Sequence, residues 1–290
     1  MTPDDLLIIV QARVGGSRFP GKMLAPLLGQ PMILWTLQRI RRLTIPHTLV
    51  VAVPEGEANK PLINLCKRHG YTCIASEDAN EADVLSRFRT VLDRYPGVEA
   101  IVRVTGDCCL LDADVINGCL ELFYQRPVSG KQLFYNLRDG VKIEHLPYDH
   151  VGIAAEWPDG QDVEIFHRLA LEQAIIEATD PVDREHVGPF IWKDPERFAC
   201  KTYPCPMDLT QYQTSVDTET DLLLAEGVLS WCLDRYGFGF TWRDIWRCLN
   251  HEQNLPLMAM MLQRPPRNQS YVAQAGAKTW ESIRYGCGKS

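Results

Sequence analysis

The segment Gln11-Ala-Arg-Val-Gly-Gly-Ser-Arg-Phe-Pro-Gly-Lys22 follows directly on the apolar run from Leu6 to Val10. We interpret the apolar run as a buried strand and the segment as the turn into which that strand leads. The turn contains two adjacent glycines, a serine and three basic side chains, so backbone N–H groups and positive charge meet at one place. Such a place suits a triphosphate. An ordinary glycine-rich turn with solvated basic residues is the alternative interpretation of the segment taken alone.

The spacing of this turn matches neither the GxxxxGK[ST] pattern of P-loop enzymes nor the GxGxxG pattern of dinucleotide-binding folds. Beyond the turn, short apolar runs alternate with helical patterns, which is typical of the α/β class with a mostly parallel central sheet flanked by helices. Strands are predicted at Leu6 to Val10, Thr48 to Val53, Tyr71 to Ala75 and Ala100 to Val104. Helices are predicted from Pro31, over Pro61 to His69 and over Ala82 to Arg94.

The second half of the chain is less regular. Residues 126–205 are richer in Gly, Pro and Asp, with one clear helical pattern at Phe166 to Ala178, and amphipathic helices resume after Val216. We predict a main domain over residues 1–235, within which about 126–205 form an inserted smaller lobe. A helical C-terminal extension and tail follow over residues 236–290.

The bulk properties exclude several classes of protein. The 290 residues are 46% hydrophobic, which is ample for a core, and the net charge of −7 argues against non-specific binding to nucleic acid. No segment reaches the roughly 18 apolar residues of a membrane span, and the first residues do not form a secretory signal. None of the ten cysteines forms a CxxC pair, which favours buried free thiols over zinc sites or disulfides. We expect a cytoplasmic protein with no nucleic-acid partner and no membrane insertion.

Two aspartates could meet the basic turn. Asp107 follows the strand that ends at Val104, and ligands of open α/β sheets bind beyond the carboxyl ends of strands. A short strand before Asp217 would deliver a second carboxylate into the same cleft, ahead of a helix with Thr218 as its cap and Asp221 in its first turn. Two carboxylates about a hundred positions apart suit Mg²⁺ beside substrate phosphates. A helix-capping role is the alternative for Asp107.

A third acidic segment, Asp112-Ala-Asp114, has the form of the DxD metal motif of many nucleotide-sugar glycosyltransferases. It immediately precedes a helical run, where aspartates satisfy free N–H groups and the helix dipole, so we interpret it as a cap. A glycosyltransferase would share the sheet and Mg²⁺ but would need a DxD at a strand end. It stays one alternative function, and a non-catalytic nucleotide-binding protein is the other.

Two further polar segments lie in the less regular part of the chain. After the turn at Asp159-Gly160, Asp162 and Glu164 fall on one side of an extended strand, where they could hold sugar hydroxyls or an amino group. A solvated strand face is the alternative. The segment Asp183-Arg-Glu-His186 is either an ordinary charged helix start or part of a ligand site.

These segments, in this order, resemble the CMP-sugar synthetases, most closely the branch called spore coat polysaccharide biosynthesis protein F. The opening of that branch, QARMGSTRLPGK, is matched at Gln11, Ala12, Arg13, Gly15, Arg18, Pro20, Gly21 and Lys22. The family pattern VRxTGDCPL is similar to Val102 to Leu110, with Cys109 in place of the proline. The pattern VDTPEDL is similar to the segment from Val216 to Leu222.

Three more family patterns extend the resemblance to about four fifths of the chain. YPDGLDVEVF is similar to Trp157 to Phe166, and DREHVTPYI to the segment that begins at Asp183. GSExDVLxRY is similar to Ser76 to Phe88, with about four extra residues, Ala79 to Ala82, in a loop expected near the pyrimidine. No pattern covers the C-terminal part.

The resemblance implies a fold like that of the nucleotide-diphospho-sugar transferases and a homodimer whose interface lies in the less regular middle segment. It implies transfer of CMP from CTP to a sugar or sugar-acid acceptor, with release of pyrophosphate, for surface polysaccharide or glycan biosynthesis. The cofactor would be Mg²⁺, held by Asp107 and Asp217.

The resemblance also assigns residues to the two substrates. The residues expected to take part in catalysis are Arg13, Lys22, Asp107 and Asp217. Those expected to bind the nucleotide are Gln11, Ala12, Arg13, Gly15, Ser17, Arg18, Lys22, Ser76 and Asp83. Those expected to bind the acceptor are Asp162, Glu164, Arg184, Glu185 and His186.

Overall fold

The computed structural model describes residues 5–77, 81–127 and 147–262, together with two-residue strands at Phe134–Tyr135, Lys142–Ile143 and His145–Leu146. The predicted tail beyond residue 262, much of the predicted lobe before residue 147, and Asp78 of the Ser76 segment lie outside the described residues.

A seven-stranded sheet forms the centre of the molecule. In chain order its strands are β1 (Leu6–Gln11), β2 (Thr48–Pro54), β3 (Thr72–Ser76), β4 (Ala100–Thr105), β5 (His150–Ile153), β6 (Val163–His167) and β7 (Cys200–Tyr203). Their order across the sheet is β7-β5-β6-β4-β1-β2-β3. Only β6 runs antiparallel to its neighbours, so the predicted α/β class with a mostly parallel sheet is confirmed.

Helices cover both faces of this sheet. They are α1 (Met32–Ile40), α2 (Lys60–Arg68), α3 (Val84–Leu92), α4 (Ala113–Phe123), α5 (Arg168–Glu177), α6 (Pro181–His186), α7 (Pro189–Trp192), α8 (Glu219–Tyr236), α9 (Trp242–Leu249) and α10 (Leu255–Leu262). Four 3₁₀ turns lie at Lys22–Leu24, Glu57–Asn59, Gly237–Gly239 and Glu252–Asn254, and short strands at Pro26–Leu27, Gln30–Pro31 and Arg126–Pro127. In the described part of the chain, no helix combines the length and apolar character that a membrane crossing requires.

Strand β1 is apolar throughout because both of its faces are buried. Leu6, Ile8 and Val10 face a core with α1, α4, α8 and α9, whereas Leu7 and Ile9 face a second core with α3 and α5. A continuous apolar run, rather than an alternating one, is typical of a strand in the middle of a parallel sheet. The buried strand therefore carries the basic turn to the carboxyl edge of the sheet.

The strands predicted at the N-terminal half are confirmed within one or two residues. The short strand predicted before Asp217 is wrong, because Gln213 forms an isolated bridge with Asp159 and residues 214–217 belong to no strand. The segment predicted as an inserted lobe supplies β5, β6 and β7 to the central sheet. Its irregular sequence reflects short strands joined by long connections.

Two buried polar side chains attach the C-terminal helices to the sheet domain. The carboxylate of Asp112 accepts hydrogen bonds from the backbone N–H groups of Asp114 (3.1 Å) and Trp242 (2.7 Å), and the residue is 1% exposed. The guanidinium of Arg39 donates to the backbone oxygens of Leu111 (2.8 Å) and Phe240 (3.0 Å). Asp112 therefore caps α4, as predicted for the DxD-like segment, and also fixes the start of α9.

Replacing Asp112 with alanine is expected to lower the free energy of unfolding by about 2–3 kcal/mol. The reason is that the N–H group of Asp114 at the start of α4 and the buried N–H group of Trp242 both lose their acceptor. Asp114→Ala, two residues away on the exposed first turn of α4, is the matched control and is expected to change it by about 0.5 kcal/mol. Urea unfolding followed by circular dichroism measures both. Equal effects of the two variants would contradict the structural role of Asp112.

Candidate active site

The basic turn after β1 is held by backbone hydrogen bonds. The N–H of Ala12 donates to the carbonyl of Ala52 (3.0 Å), and that of Gly21 to the carbonyl of Val14 (2.9 Å). The buried side chain of Asn59 accepts from the N–H of Val14 (2.9 Å). Gly21 has φ +76°, a conformation that glycine adopts without strain. These contacts fix the position at which the chain delivers Lys22.

The turn approaches Asp107 closely because residue 106 has no side chain. The N–H of Gly106 donates to the carbonyl of Gln11 (2.9 Å), which joins the end of β4 to the end of β1. A Cβ atom at Gly106 would lie 3.1 Å from both the Cβ of Ala12 and the Sδ of Met23. A side chain at residue 106 would therefore crowd the place where the two strand ends meet.

Lys22 lies between the two predicted metal ligands. Its Nζ donates to Oδ2 of Asp107 (2.7 Å), to Oδ1 of Asp217 (2.9 Å) and to the backbone oxygen of Val216 (2.8 Å). The three side chains are each between 14% and 21% exposed. The structure thus brings together three of the four residues expected to take part in catalysis.

The position of Asp217 is set by the start of α8. The carboxylate of Asp221 accepts from the N–H groups of Asp217 (2.8 Å) and Thr218 (2.9 Å), and Thr218 completes a capping box. The N–H of Val216 donates to the carbonyl of Asp107 (3.1 Å), so the two carboxylates are carried by hydrogen-bonded segments. The predicted helix-start roles of Thr218 and Asp221 are confirmed.

The charges in this cluster support one another. Burial alone would lower the pKa of Lys22, but the carboxylates of Asp107 and Asp217 outweigh burial and raise it. Burial likewise acts to raise the pKa of Asp107, but the Lys22 ammonium outweighs it and lowers that pKa. Lys22 and Asp107 are therefore both ionised at neutral pH.

The oxygens around Lys22 fit a hard divalent cation. Oδ2 of Asp107, Oδ1 of Asp217 and the carbonyl of Val216 converge on one point that a cation already occupies. Mg²⁺ is commonly held by one or two carboxylates together with substrate phosphates. Within residues that the structure describes, no group of three or more His, Cys, Asp or Glu side chains is arranged for a metal. Two carboxylates and one carbonyl leave further coordination positions of such an ion to phosphate or water.

The two arginines of the turn are paired with carboxylates. Arg18, whose side chain is 67% exposed, lies 3.1 Å from Oδ2 of Asp217. Arg13 lies 3.1 Å from Oε2 of Glu81. A Cβ atom at Gly15 would lie 2.7 Å from Oε1 of the same glutamate, so the Glu81 carboxylate rests against the glycines of the turn. The Glu81 carboxylate therefore lies where the sequence predicts that phosphate oxygens bind.

A second polar cluster lies next to the end of β1. Nε of Arg103 in β4 donates to Oε1 of Gln11 (2.8 Å), and its terminal nitrogen pairs with the carboxylate of Glu164 in β6. Nε2 of His150 in β5 lies 3.1 Å from the other oxygen of Glu164. Burial alone would raise the pKa of Glu164, but Arg103 and His150 outweigh it and lower the pKa to about 2. This cluster joins a predicted nucleotide residue to a predicted acceptor residue.

The backbone beside Glu164 is strained. Val187 has φ +70° and ψ −58°, and the N–H of Gly188 donates to the carbonyl of His186 (2.8 Å), which closes a three-residue γ-turn. Positive φ is rare for a β-branched residue. The turn brings Gly188 so close that a Cβ atom there would lie 2.1 Å from Oε1 of Glu164. The strain thus allows backbone to pack directly on the carboxylate.

The remaining predicted residues are divided among several positions. Asp83 caps α3 by accepting from the N–H of Ser86 (3.0 Å), and it pairs with Arg184 at 2.9 Å. Ser76 is buried, with its Oγ 2.9 Å from Oγ1 of Thr90.

Asp162 accepts from the N–H of Gly160 (3.1 Å). Ser17 and Glu185 are exposed, and His186 ends α6. The structure therefore does not gather all the predicted acceptor residues into the cluster around Glu164.

Sequence reasoning missed Arg103, His150, Glu81 and Asn59. Arg103 had a detectable signal, since a charged residue inside a buried apolar strand requires a partner. His150, Glu81 and Asn59 had none, because the partner of each is distant in the chain and no local pattern indicates it.

The model of the cytidylyltransferase family matches residues 7–219. Spore coat polysaccharide biosynthesis protein SpsF of Bacillus subtilis (strain 168) is 26% identical over 225 residues, which cover 75% of this chain and 83% of that protein. A 3-deoxy-manno-octulosonate cytidylyltransferase of Methylibium petroleiphilum is 31% identical over 122 residues, or 41% of this chain and 44% of that enzyme.

Solved structures share the fold. A cytidylyltransferase from Leptospira borgpetersenii serovar Hardjo-bovis aligns with a TM-score of 0.70 at 21% identity, over 91% of this chain and 99% of that one. A CMP:2-keto-3-deoxy-manno-octonic acid synthetase complexed with CTP aligns with a TM-score of 0.52 at 13% identity, over 78% of this chain and 98% of that one. With the family match over most of its length, this chain belongs to the cytidylyltransferases and is a nucleotidyltransferase.

Proposed function

We propose that this enzyme transfers CMP from CTP to a hydroxyl group of a sugar or sugar-acid acceptor and releases pyrophosphate, in the biosynthesis of a surface polysaccharide or glycan. The observation that carries the proposal is the meeting of Lys22, Asp107 and Asp217 beside the basic turn. In the reaction the acceptor oxygen bonds to the α-phosphorus while the bond between that phosphorus and the bridging oxygen breaks. The hydroxyl proton passes to solvent, and pyrophosphate carries away the electron pair.

The chain's cations would bind the phosphates. Arg13, Arg18 and Lys22 lie on or beside one turn, and each already pairs with a carboxylate that a phosphate oxygen could replace. Charge-assisted hydrogen bonds from Arg and Lys to phosphate are strong, and they stabilise the negative charge that grows on the leaving pyrophosphate. Catalysis would therefore depend on positioning and electrostatics rather than on a covalent intermediate.

Asp107 and Asp217 would hold Mg²⁺. When bound, the ion would neutralise charge on the phosphate oxygens and lower the pKa of the acceptor hydroxyl, so that no separate general base is required. Asp107 would stay ionised because the Lys22 ammonium lowers the pKa of its carboxyl group.

The acceptor would lie beside Glu164, in the antiparallel strand β6, and Asp162, which directly precedes that strand. The carboxylate oxygens can accept hydrogen bonds from sugar hydroxyls or an amino group, and Arg103 can donate to an acid group. Arg184 would act mainly by positioning, since it ties α6 to Asp83 at the start of α3. The names of the relatives SpsF and 3-deoxy-manno-octulosonate cytidylyltransferase support a polysaccharide precursor as the acceptor class.

The alternative glycosyltransferase function has less support, because both oxygens of Asp112 are used as buried caps. A homodimer through the middle segment stays part of the proposal. Leu169 and Ile176, which lie seven residues apart on α5, are 65% and 75% exposed and could form part of such an interface.

The base preference tests the proposal directly. With Mg²⁺ and a panel of sugar acids and sugars, we expect acceptor-dependent pyrophosphate release with CTP and at least about a hundredfold less with ATP, GTP or UTP. A coupled pyrophosphate assay measures the rates. Release with UTP or GTP in place of CTP would overturn the base assignment, and sugar transfer from a nucleotide sugar without pyrophosphate would favour the glycosyltransferase.

Asp107→Asn is expected to reduce kcat by about a hundredfold or more, because one negative oxygen of the metal site is lost while the shape is kept. The unfolding midpoint should change little, since Lys22 keeps Asp217 and the Val216 carbonyl as partners. Asp114→Asn, an exposed aspartate, is the control and should keep full activity. An Asp107→Asn enzyme with near-normal kcat would remove Asp107 from the mechanism.

Arg103→Met is expected to remove most of the stability that the ionised Glu164 carboxylate contributes. In the native protein the pKa of Glu164 is about 2 against an ordinary value of 4.5, so its ionisation stabilises the fold above pH 4.5 and this contribution fades as the pH falls toward 2. Without Arg103, the main charge that opposes burial is lost, so the pKa of Glu164 should move back towards its ordinary value and most of this contribution disappears.

The free energies of unfolding of the native protein and Arg103→Met should therefore diverge as the pH rises from about 2 to 4.5, by about 1–3 kcal/mol. Denaturant titrations at several pH values measure this difference, with Arg197→Met, which breaks the exposed pair with Glu177, as the control that should show little pH dependence. A difference that is constant with pH would contradict the pairing of Arg103 with Glu164.

A further inference from the structure

The ammonium group of Lys22 has no donor left. An ammonium has three N–H bonds, and Nζ of Lys22 contacts three oxygens, those of Asp107, Asp217 and Val216, at 2.7, 2.9 and 2.8 Å. In this arrangement Lys22 cannot also bind a phosphate. It has to release at least one of these oxygens before it can act on a nucleotide.

The oxygens that Lys22 occupies are those that would hold the metal. One carboxylate oxygen of each aspartate points at Nζ, so an ammonium and a divalent cation would compete for the same point. Their like charges would also repel at such short distance. Lys22 does not leave easily, because its side chain is only 14% exposed and the buried carboxylates need a counter-charge.

A triphosphate changes this balance. Its oxygens offer new acceptors for the three N–H bonds of Lys22, next to the turn that carries the lysine. Once Lys22 donates to phosphate, the two carboxylates lose their counter-ion and become available to the divalent cation that accompanies a nucleotide. At the end of the exchange, the ammonium is paired with phosphate and the carboxylates are paired with the divalent cation.

We propose that Lys22 is a built-in counter-ion that excludes divalent cations from Asp107 and Asp217 until a nucleoside triphosphate draws its ammonium away. The inference rests on the proposed function, because the triphosphate of the nucleotide provides the new acceptors for the Lys22 ammonium. It predicts that the metal and the nucleotide bind with strong positive coupling, and that the coupling passes through one side chain.

The neighbouring arginine separates this proposal from a simple effect of net charge. Arg18 carries the same charge and contacts Oδ2 of Asp217 at 3.1 Å, but its side chain is 67% exposed and does not lie between the two aspartates. If positive charge near the site merely repelled metal ions, loss of Arg18 and loss of Lys22 would have similar effects. If Lys22 instead blocks the point between the two aspartates, only the loss of Lys22 makes that point available to a metal ion.

The test measures Mn²⁺ binding to the full chain without nucleotide or acceptor, by the electron paramagnetic resonance signal of free Mn²⁺. We expect weak binding to the native protein and at least about tenfold tighter binding to Lys22→Met. Lys22→Arg keeps a cation and should resemble the native protein. Arg18→Met should tighten binding by less than about threefold. The additional Mn²⁺ ion on Lys22→Met should disappear in the double variant Lys22→Met/Asp217→Asn.

Equal Mn²⁺ affinities of Lys22→Met and the native protein, or equal gains for Lys22→Met and Arg18→Met, would overturn the proposal. Circular dichroism establishes that each variant is folded, and Lys22→Gln replaces Lys22→Met if the latter unfolds. Tight Mn²⁺ binding to the native protein in the absence of nucleotide would also overturn the proposal, whatever the affinities of the variants. Because no CTP is present, this result is independent of pyrophosphate release, so failure of the inference and failure of the proposed function are distinguishable.

Discussion

The contact of one ammonium with two carboxylates from distant parts of the chain determines how the site is built. Asp107 and Asp217 can lie close together only if a cation is shared between them, because two unscreened negative charges in a partly buried cleft repel strongly. Lys22 supplies that cation from the turn after β1. The close approach at Gly106, the hydrogen bond from Val216 to Asp107 and the capping box at Thr218 each hold one member of this arrangement in place.

Much of the fold and the centre of the site could be predicted because their signals are local. An apolar run followed by a glycine-rich turn specifies a buried strand and its end, and a strand end specifies the edge at which ligands bind. Lys22 and Asp107 follow from that logic. The segment before Asp217 was misjudged because its backbone bonds to residues near Asp159 and Asp107, which no local pattern records.

The acceptor side was harder to predict for a related reason. Strand β6 runs against its neighbours, so which of its residues faces Arg103 depends on the register of the pairing and not on any spacing in the sequence. His150 reaches Glu164 from a third strand, and Arg184 reaches Asp83 across about a hundred residues. Glu164 and Arg184 were both predicted to bind the acceptor, yet Glu164 pairs with Arg103 and Arg184 pairs with Asp83. Arg103 was overlooked although a charged residue in a buried strand requires a partner.

The bonds that Asp112 and Arg39 make to the segment around Trp242 bear on where this protein could be divided. The family model ends at residue 219, yet the first core continues through Phe240, Ile245 and Leu249. A chain shortened at the family boundary would leave a buried carboxylate and a buried guanidinium facing lost partners. The helices beyond residue 219 therefore complete the buried core of the domain that carries the site, and a shortened protein would be expected to lose stability as well as helices.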